Sequence, residues 1–479
     1  MKKSFISDIL ALSFGALLTL SFAPFHIWPL AIISPATLLL VLLSASALRS
    51  FWRGWLFGIG FFATSIYWVF ISMHTYGQAN EFFAGLATAA LVLFIAVIFI
   101  AIPSYCFTKF FTKNNVFKII IVFPILWVIF EWLRSWLFTG FPWLLLGYSQ
   151  MDSPLRGLAP ILSVYGVSLA TCLNSSLIVF CYKAQRKKIS IIISIILLTL
   201  LWMGGYLLTK MYWTKPIGNP IQISMIQGNI PQSVKWSSEQ FTKTLKIYTR
   251  LTQKNWNSQI IIWPEAAITL TQIQVQPFLN QMSTLAKQHD SAIILGIPIA
   301  IKNHYYNGML VLGNGKGMYL KRHLVPFGEY LPFRSFFKFF SRYVQIPMSD
   351  FSAGKLKQEK FIAHQVLLAP YICYEIIYPQ EVRKTLDDAK AIVVISDDSW
   401  FGHSIANAQH LQMTQMRALE TGREILLSTN NGMTAIINSK GQVIKQLPPY
   451  KRAVLTGKLQ GYTGKTPFIA LGMTKKVAR

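Results

Sequence analysis

The sequence predicts a polytopic α-helical membrane domain followed by an α/β domain, and three observations carry that prediction. Of 18 acidic residues, only Asp8, Glu81, Glu131 and Asp152 precede residue 211. The same stretch is a series of long apolar runs, whereas after Trp213 short apolar segments alternate with amphipathic ones. Only 13% of the 479 residues are charged, against roughly 25% in soluble domains, so part of the chain avoids water. The expected boundaries are 1–212 for the multi-span domain, 213–462 for the α/β domain and 463–479 for a short tail.

Seven apolar stretches, near 7–24, 28–46, 54–73, 84–108, 117–139, 159–182 and 189–209, are long enough to cross a hydrocarbon layer of roughly 30 Å. Their loops alternate in charge. Lys2 and Lys3, Arg49 and Arg53, Lys109, Lys113 and Lys118, and Lys183, Arg186, Lys187 and Lys188 fall on one side. The opposite loops hold His26, residues 76–81, and a long segment with only Arg134 and Arg156. Basic loops stay cytoplasmic, and an odd number of spans then exports the second half, to the periplasm in a Gram-negative cell. The first span resembles a signal peptide, but no convincing small-x-small cleavage site follows it, so it is expected to remain. Glu131 and Arg134, three apart on a helix, are expected to form a structural ion pair at a helix end.

In the second half, strands are expected at 221–227, 259–263, 292–301, 309–312, 318–323, 366–372, 391–395, 425–429, 434–438 and 443–446. Helices are expected at 240–254, 277–288, 379–386 and 407–422. Gly313-Asn314-Gly315 reads as a hairpin turn. Strand–helix alternation implies helices covering a sheet. Gly-x-Gly-x-x-Gly is absent, which argues against a dinucleotide site. Arg417, Glu420 and Arg423 are expected to pair along one helix.

Composition narrows the function. The formal charge of +27 is dispersed or confined to short loops, and fits membrane topology and anionic headgroups better than nucleic acid. Cys106, Cys172 and Cys181 lie in or beside apolar spans, which leaves Cys373 without a disulfide partner in the second half. His289, His304, His323, His364, His403 and His410 lack metal-ligand spacing, so no metal is expected. Three groups lie at strand ends or in adjoining loops: Glu265 after 260–263, Lys321 opening the stretch 321–329, and Cys373 after 366–372. A carboxylate, an amine and a thiol so placed are the parts needed for acyl transfer through a thioester.

Trp263-Pro264-Glu265, Lys321 ahead of Leu324-Val-Pro-Phe-Gly-Glu329, and Cys373-Tyr374-Glu375 resemble the Glu–Lys–Cys signature of the nitrilase (carbon–nitrogen hydrolase) superfamily. Gln227-Gly-Asn-Ile-Pro-Gln-Ser-Val-Lys-Trp236, Phe138-Thr-Gly-Phe-Pro-Trp143, Asp398-Ser-Trp-Phe-Gly402 and Ser428-Thr-Asn-Asn-Gly432, together with the stem, resemble bacterial apolipoprotein N-acyltransferases over almost the whole chain. The resemblance implies a nitrilase-like α-β-β-α sandwich and a ping-pong reaction without a cofactor. In it Cys373 is the nucleophile, Glu265 the proton acceptor and donor, and Lys321 the oxyanion stabiliser. A phospholipid is the implied acyl donor and the N-terminal diacylglyceryl-cysteine of an apolipoprotein the acceptor. The implied location is the inner membrane, multi-pass, with the catalytic domain periplasmic and the protein a monomer.

Glu329 resembles the family's supporting glutamate. Tyr374 and Glu375 either shape the nucleophile's turn or, for Glu375, serve as a plain hydrogen-bonding group. Trp236 and Trp400 fit either a substrate entrance or core filling. Phe333 to Tyr343 interleaves aromatics with cations, which suits a lid dipping into the lipid interface better than base stacking. Two features depart from the family pattern. Ser396-Asp397-Asp398 stands where Ser-Asn-Asp is usual, adding a negative charge. The tail after Gly464 is too short for the family's eighth span, so a truncated last span is expected there. Two other readings compete with acyl transfer: a membrane-tethered nitrilase-like amidohydrolase using water, and a transporter or scaffold with a degenerate exported domain.

Overall fold

The computed structural model describes residues 2–113, 116–184, 188–331 and 350–473. It divides into two compact units, the first formed by 1–71, 80–211 and 404–412, the second by 72–79, 212–403 and 413–479.

The first unit is helical. Four described helices, Ser4–Ser21, Glu81–Lys109, Pro154–Lys183 and Lys188–Lys210, are long and apolar enough to cross a membrane, or up to five if the bent pair Ala47–Ser65 and Trp68–Tyr76 is one span. The sequence predicts seven. The other two predicted stretches are helical as well: Leu30–Leu43 has 14 residues, and Phe123–Arg134 continues without a break from the turn Lys118–Val122, against the about 20 residues that cross upright. Leu30–Leu43 stops because Ser46 caps the next helix, its hydroxyl accepting from Arg49 N at 3.4 Å. Lys188–Lys210 exposes Ile189, Ile192, Ile196, Leu200 and Leu207, the outward apolar face that a lipid solvent requires.

Helices in lipid associate by close packing rather than by expelling water. A Cβ on Gly15 would meet the Phe57 carbonyl at 2.1 Å, and one on Gly60 the Leu12 carbonyl at 2.2 Å, so the helices Lys2–Leu18 and Ala47–Ser65 touch backbone to backbone. Asp8 joins them again, pairing with Arg49 and with Arg53 at 3.3 Å. The expected Glu131–Arg134 ion pair is not formed among the described contacts. Glu131 Oε1 instead accepts from Leu146 N at 2.6 Å and Trp127 Nε1 at 3.0 Å, and Arg134 donates to the Leu144 carbonyl at 3.2 Å. The irregular backbone there lacks helical partners and takes them from these two side chains.

The second unit is built on two sheets. Its strands are β1 (Lys215–Gln227), β2 (Ile260–Ile262), β3 (Ala292–Ile301), β4 (His304–Gly313), β5 (Gly315–Lys316), β6 (Met318–Leu320), β7 (Phe361–Ala363), β8 (Val366–Ile372), β9 (Ala391–Ser396), β10 (Ile425–Thr429), β11 (Ala435–Ile437), β12 (Val443–Gln446) and β13 (Ala453–Thr463). One sheet runs β13-β1-β2-β3-β4-β6 and the other β12-β11-β10-β9-β8-β7-β5. Side-chain alternation sets the layers. Ile260, Ile262, Ile294, Ile372, Val393 and Ile395 fill the space between the sheets. The alternate residues Ile261, Ile293, Leu295 and Ile297 pack with Tyr248, Leu279 and Met282 from the helices Ser238–Gln253 and Gln276–Gln288. Pro379–Thr385 lies against the second sheet through Thr385 Oγ1, 2.9 Å from Tyr371 Oη. This is the α-β-β-α arrangement.

Strands β13, β5 and β7 are absent from the sequence prediction. The helix Ala406–Thr421 carries the expected Arg417–Glu420 pair, fully buried. Arg423 instead donates to the carbonyls of Ala389 at 2.7 Å and Gly464 at 2.8 Å, because it lies beyond the helix, where loop carbonyls need donors.

Ile294→Ala removes a fully buried side chain between the sheets. It is expected to lower the thermal unfolding midpoint of the detergent-solubilised protein by about 5–15 °C, read by near-ultraviolet circular dichroism.

Candidate active site

Three loops carry the predicted groups. Parallel pairing of β2 with β1 and β3 delivers Glu265 just beyond a carboxyl strand end, where α/β sheets place their sites. Trp263 anchors this loop: its backbone N donates to the Ile294 carbonyl at 2.8 Å, its indole to Thr252 at 2.9 Å, and its ring stacks on Tyr248. Lys321 follows β6 and is held through its own N–H to the Asn307 carbonyl at 2.8 Å. Cys373 follows β8, whose register with β9 pairs Ile372 with Ile395. Cys373 therefore lies beside Ser396, the next residue along β9.

The structure brings Glu265, Lys321 and Glu329 into one buried cluster. The Lys321 ammonium is 3.4 Å from Glu265 Oε1 and 2.9 Å from Glu329 Oε2. Asn307, which the sequence prediction passed over, donates from one amide nitrogen to Glu265 Oε1 at 2.7 Å and Glu329 Oε1 at 2.6 Å. Glu329 also accepts from Val325 N at 2.8 Å, and Glu265 Oε2 from Asp397 N at 2.8 Å. Burial pushes the Glu265 carboxyl above its usual range, Lys321 opposes that and Glu329 reinforces it. Burial pulls Lys321 down, but Glu329 and Glu265 more than offset it, leaving the ammonium firmly charged. Burial also pushes the Cys373 thiol well above its ordinary 9.0, with Glu265 adding to the rise and Lys321 opposing it. A thiol so placed stays protonated near neutrality until a base takes its proton, and a carboxylate made more basic by burial suits that task.

Cys373 has φ of +52°, a left-handed conformation that costs a non-glycine residue roughly 1–2 kcal/mol. Glu375 holds the strained turn. Its carboxylate accepts from Ile372 N at 2.7 Å, from Arg322 N at 2.7 Å, from His323 N at 3.2 Å and from Tyr319 Oη at 2.8 Å. One buried side chain thus ties the residue before the thiol to the residues after the ammonium. For Glu375 the hydrogen-bonding role and the hold on the turn are therefore the same contacts. Tyr374 is half-buried, its ring 5.1 Å from Tyr378 and 5.8 Å from His323.

Trp236 is 37% exposed, so it does not fill core. Trp400 is half-buried, with its ring edge-on to Tyr76 at 6.3 Å and its carbonyl accepting from Ser72 Oγ at 2.7 Å. The expected lid, Phe333 to Tyr343, lies outside the described residues.

Two further residues shape the site. Lys235, inside the quoted Gln227–Trp236 string but given no role there, is 1% exposed and reaches both Asp397 and the Glu265 carbonyl. Gly296 on β3 admits the Glu265 loop, since a Cβ there would sit 2.6 Å from the Pro264 carbonyl and 2.7 Å from Glu265 Cα. An unexplained polar residue inside a hairpin, such as Asn307, is the signal that would have found the first missed partner. A glycine within an apolar strand would have found Gly296.

Family models match both halves: the Apolipoprotein N-acyltransferase N-terminal domain over residues 14–177, and Carbon-nitrogen hydrolase over 222–468. An apolipoprotein N-acyltransferase of Coxiella burnetii is 46% identical over 467 residues, covering 97% of this chain and 96% of its own. One of Azotobacter vinelandii is 39% identical over 469 residues, covering 96% and 91%. Among solved structures, a carbon–nitrogen hydrolase from Helicobacter pylori G27 aligns over 54% of this chain and 93% of its own, at 13% identity and a TM-score of 0.39.

Two outcomes are expected from these contacts. Alkylation of Cys373 by iodoacetamide should accelerate only at pH well above 9.0, and Lys321→Met, which removes the opposing positive charge, should displace that rise further upward. Gly296→Ala should slow Cys373 acylation about 100-fold by displacing Glu265, while far-ultraviolet circular dichroism stays unchanged.

Proposed function

The chain belongs to the apolipoprotein N-acyltransferase family, and we propose that it moves an acyl chain from a phospholipid to the N-terminal diacylglyceryl-cysteine of apolipoproteins through a thioester on Cys373. The observation that carries this reading is the buried ammonium of Lys321, 3.4 Å from the Glu265 carboxylate, in one charge cluster with a thiol held in a left-handed turn.

Glu265 takes the thiol proton and the sulfur attacks the sn-1 ester carbonyl. Negative charge then develops on the carbonyl oxygen, and a fully charged Lys321 is the donor suited to receive it. As the tetrahedral centre collapses, the carbon–oxygen bond breaks and Glu265 returns the proton to the departing lysophospholipid alkoxide. In the second half, Glu265 accepts a proton from the acceptor amine as its nitrogen attacks the thioester, and the carbon–sulfur bond breaks as Glu265 returns that proton to the Cys373 sulfur. The overall change from ester to amide is downhill, so no nucleotide is consumed. Glu329 and Asn307 fix the relative positions of Lys321 and Glu265. The exposure of Trp236, 37%, supports a role for it at the substrate entrance, and the half-buried Trp400 is proposed beside it.

Basic loops alternate along the helical half, which supports a multi-pass inner-membrane location with the catalytic unit on the periplasmic side. The protein is assigned as a monomer, with domains at 1–212, 213–462 and 463–479.

Detergent-solubilised protein incubated with phospholipid labelled in its sn-1 chain should form a hydroxylamine-sensitive adduct that passes its label to an added diacylated lipopeptide. Cys373→Ala should abolish the adduct, and Lys321→Met should slow its formation by about 100-fold or more. Release of free fatty acid with no labelled lipopeptide would replace this reading with hydrolysis.

A further inference from the structure

The carboxylate of Asp397 lies in the same buried cluster as Glu265. Asp397 is 7% exposed and Lys235 1% exposed. The Lys235 ammonium pairs with Asp397 Oδ2 and donates to the backbone carbonyl of Glu265 at 3.1 Å. Asp397 N donates back to Glu265 Oε2 at 2.8 Å, which closes a ring of contacts through the backbone and side chain of one residue. The other Asp397 oxygen accepts from Asn430 Nδ2 at 3.1 Å, from Ser399 N at 3.3 Å and from the Ser399 hydroxyl. Asn430 is itself tied to the Lys235 segment, its amide donating to the Ile230 carbonyl at 2.9 Å and its carbonyl oxygen accepting from Ile230 N at 3.0 Å.

We propose that Lys235 is a positioning residue for Glu265, acting with Asp397 as a two-ended clamp. The ammonium fixes the loop at the Glu265 carbonyl, and the paired Asp397 aims its N–H at the carboxylate. The clamp rests on the reading of Glu265 as the base. It also accounts for the negative charge at 397, since a buried carboxylate persists where an ammonium compensates it. Removing Lys235 leaves Asp397 as an unpaired charge beside Glu265 and frees the loop at once. The charged groups facing Glu265 are Lys321, Glu329, Asp397 and Lys235, with Cys373 the titratable neighbour and Asp398 lying against that thiol.

The test is the single-turnover rate of Cys373 acylation by labelled phospholipid, followed against pH in the full-length solubilised protein. Glu265→Gln should abolish acylation. Lys235→Met should slow it about 100-fold and move the acid limb of the profile to higher pH, because a positive charge is lost while Asp397 stays. Asp397→Asn should move the limb to lower pH. The double variant should be at least about tenfold faster than Lys235→Met, because no unpaired charge remains. If Glu265→Gln acylates normally, the base assignment falls and the clamp falls with it. If Glu265→Gln is dead while Lys235→Met keeps the wild-type rate and limb, the clamp alone is overturned. Should Lys235→Met fail to accumulate, an Asp397→Asn limb that does not move overturns it equally.

Discussion

Everything at the candidate site answers to one constraint: three carboxylates and two ammoniums lie within a protein interior where charge survives only in company. Glu265, Glu329 and Asp397 are all less than a tenth exposed, and Lys235 and Lys321 only 1%. Taking such groups out of water costs several kcal/mol each unless partners restore the lost interactions. The local architecture is the set of those partners. Lys321 lies between two carboxylates, Asn307 spans the same two, and backbone N–H groups of Val325 and Asp397 take the remaining oxygens. The surplus of carboxylate over ammonium fits an elevated Glu265, ready to hold a proton and to give it away.

The sequence made much of this legible, for a definable reason. Glu265, Lys321 and Cys373 each end or adjoin an apolar run, and runs of that length announce strands. The strands whose side chains alternate between two buried layers, such as β3 and β9, are also visible that way. What escaped detection depends on pairing over long distances. β13 is polar along much of its exposed side, with no clean alternation, and becomes a strand because β1 offers it a ladder. Asn307 sits opposite Pro298 in the β3–β4 hairpin, and only that register reveals it as the partner of two glutamates. Lys235 reads as one more surface cation until the fold covers it. In the helical half, hydropathy found a helix in each of the seven apolar runs but not where it ends, because apolar residues continue through the turn at Ser46 and beyond Arg134.

Glu375 illustrates how little covalent proximity matters. It sits two residues after the thiol, yet its oxygens are occupied by backbone groups on both sides of the site. The left-handed turn at Cys373 persists because this carboxylate and the following short helix over-determine it. The helical half uses the same economy: Glu131 and Arg134 are committed to the backbone of 144–146, and glycines let helices meet where lipid gives them no hydrophobic reason to.

The pairing of β1 with β13 spans ten register positions, from Lys215 with Thr463 to Gln227 with Ala453. During synthesis, the first catalytic strand therefore waits with a bare hydrogen-bonding edge until nearly all the intervening chain has left the ribosome. Such an edge invites pairing with neighbouring molecules, and so distant a contact closes slowly. The enzyme's most vulnerable moment comes before it has ever met a lipid, while its sheet is open and its closing strand is still to come.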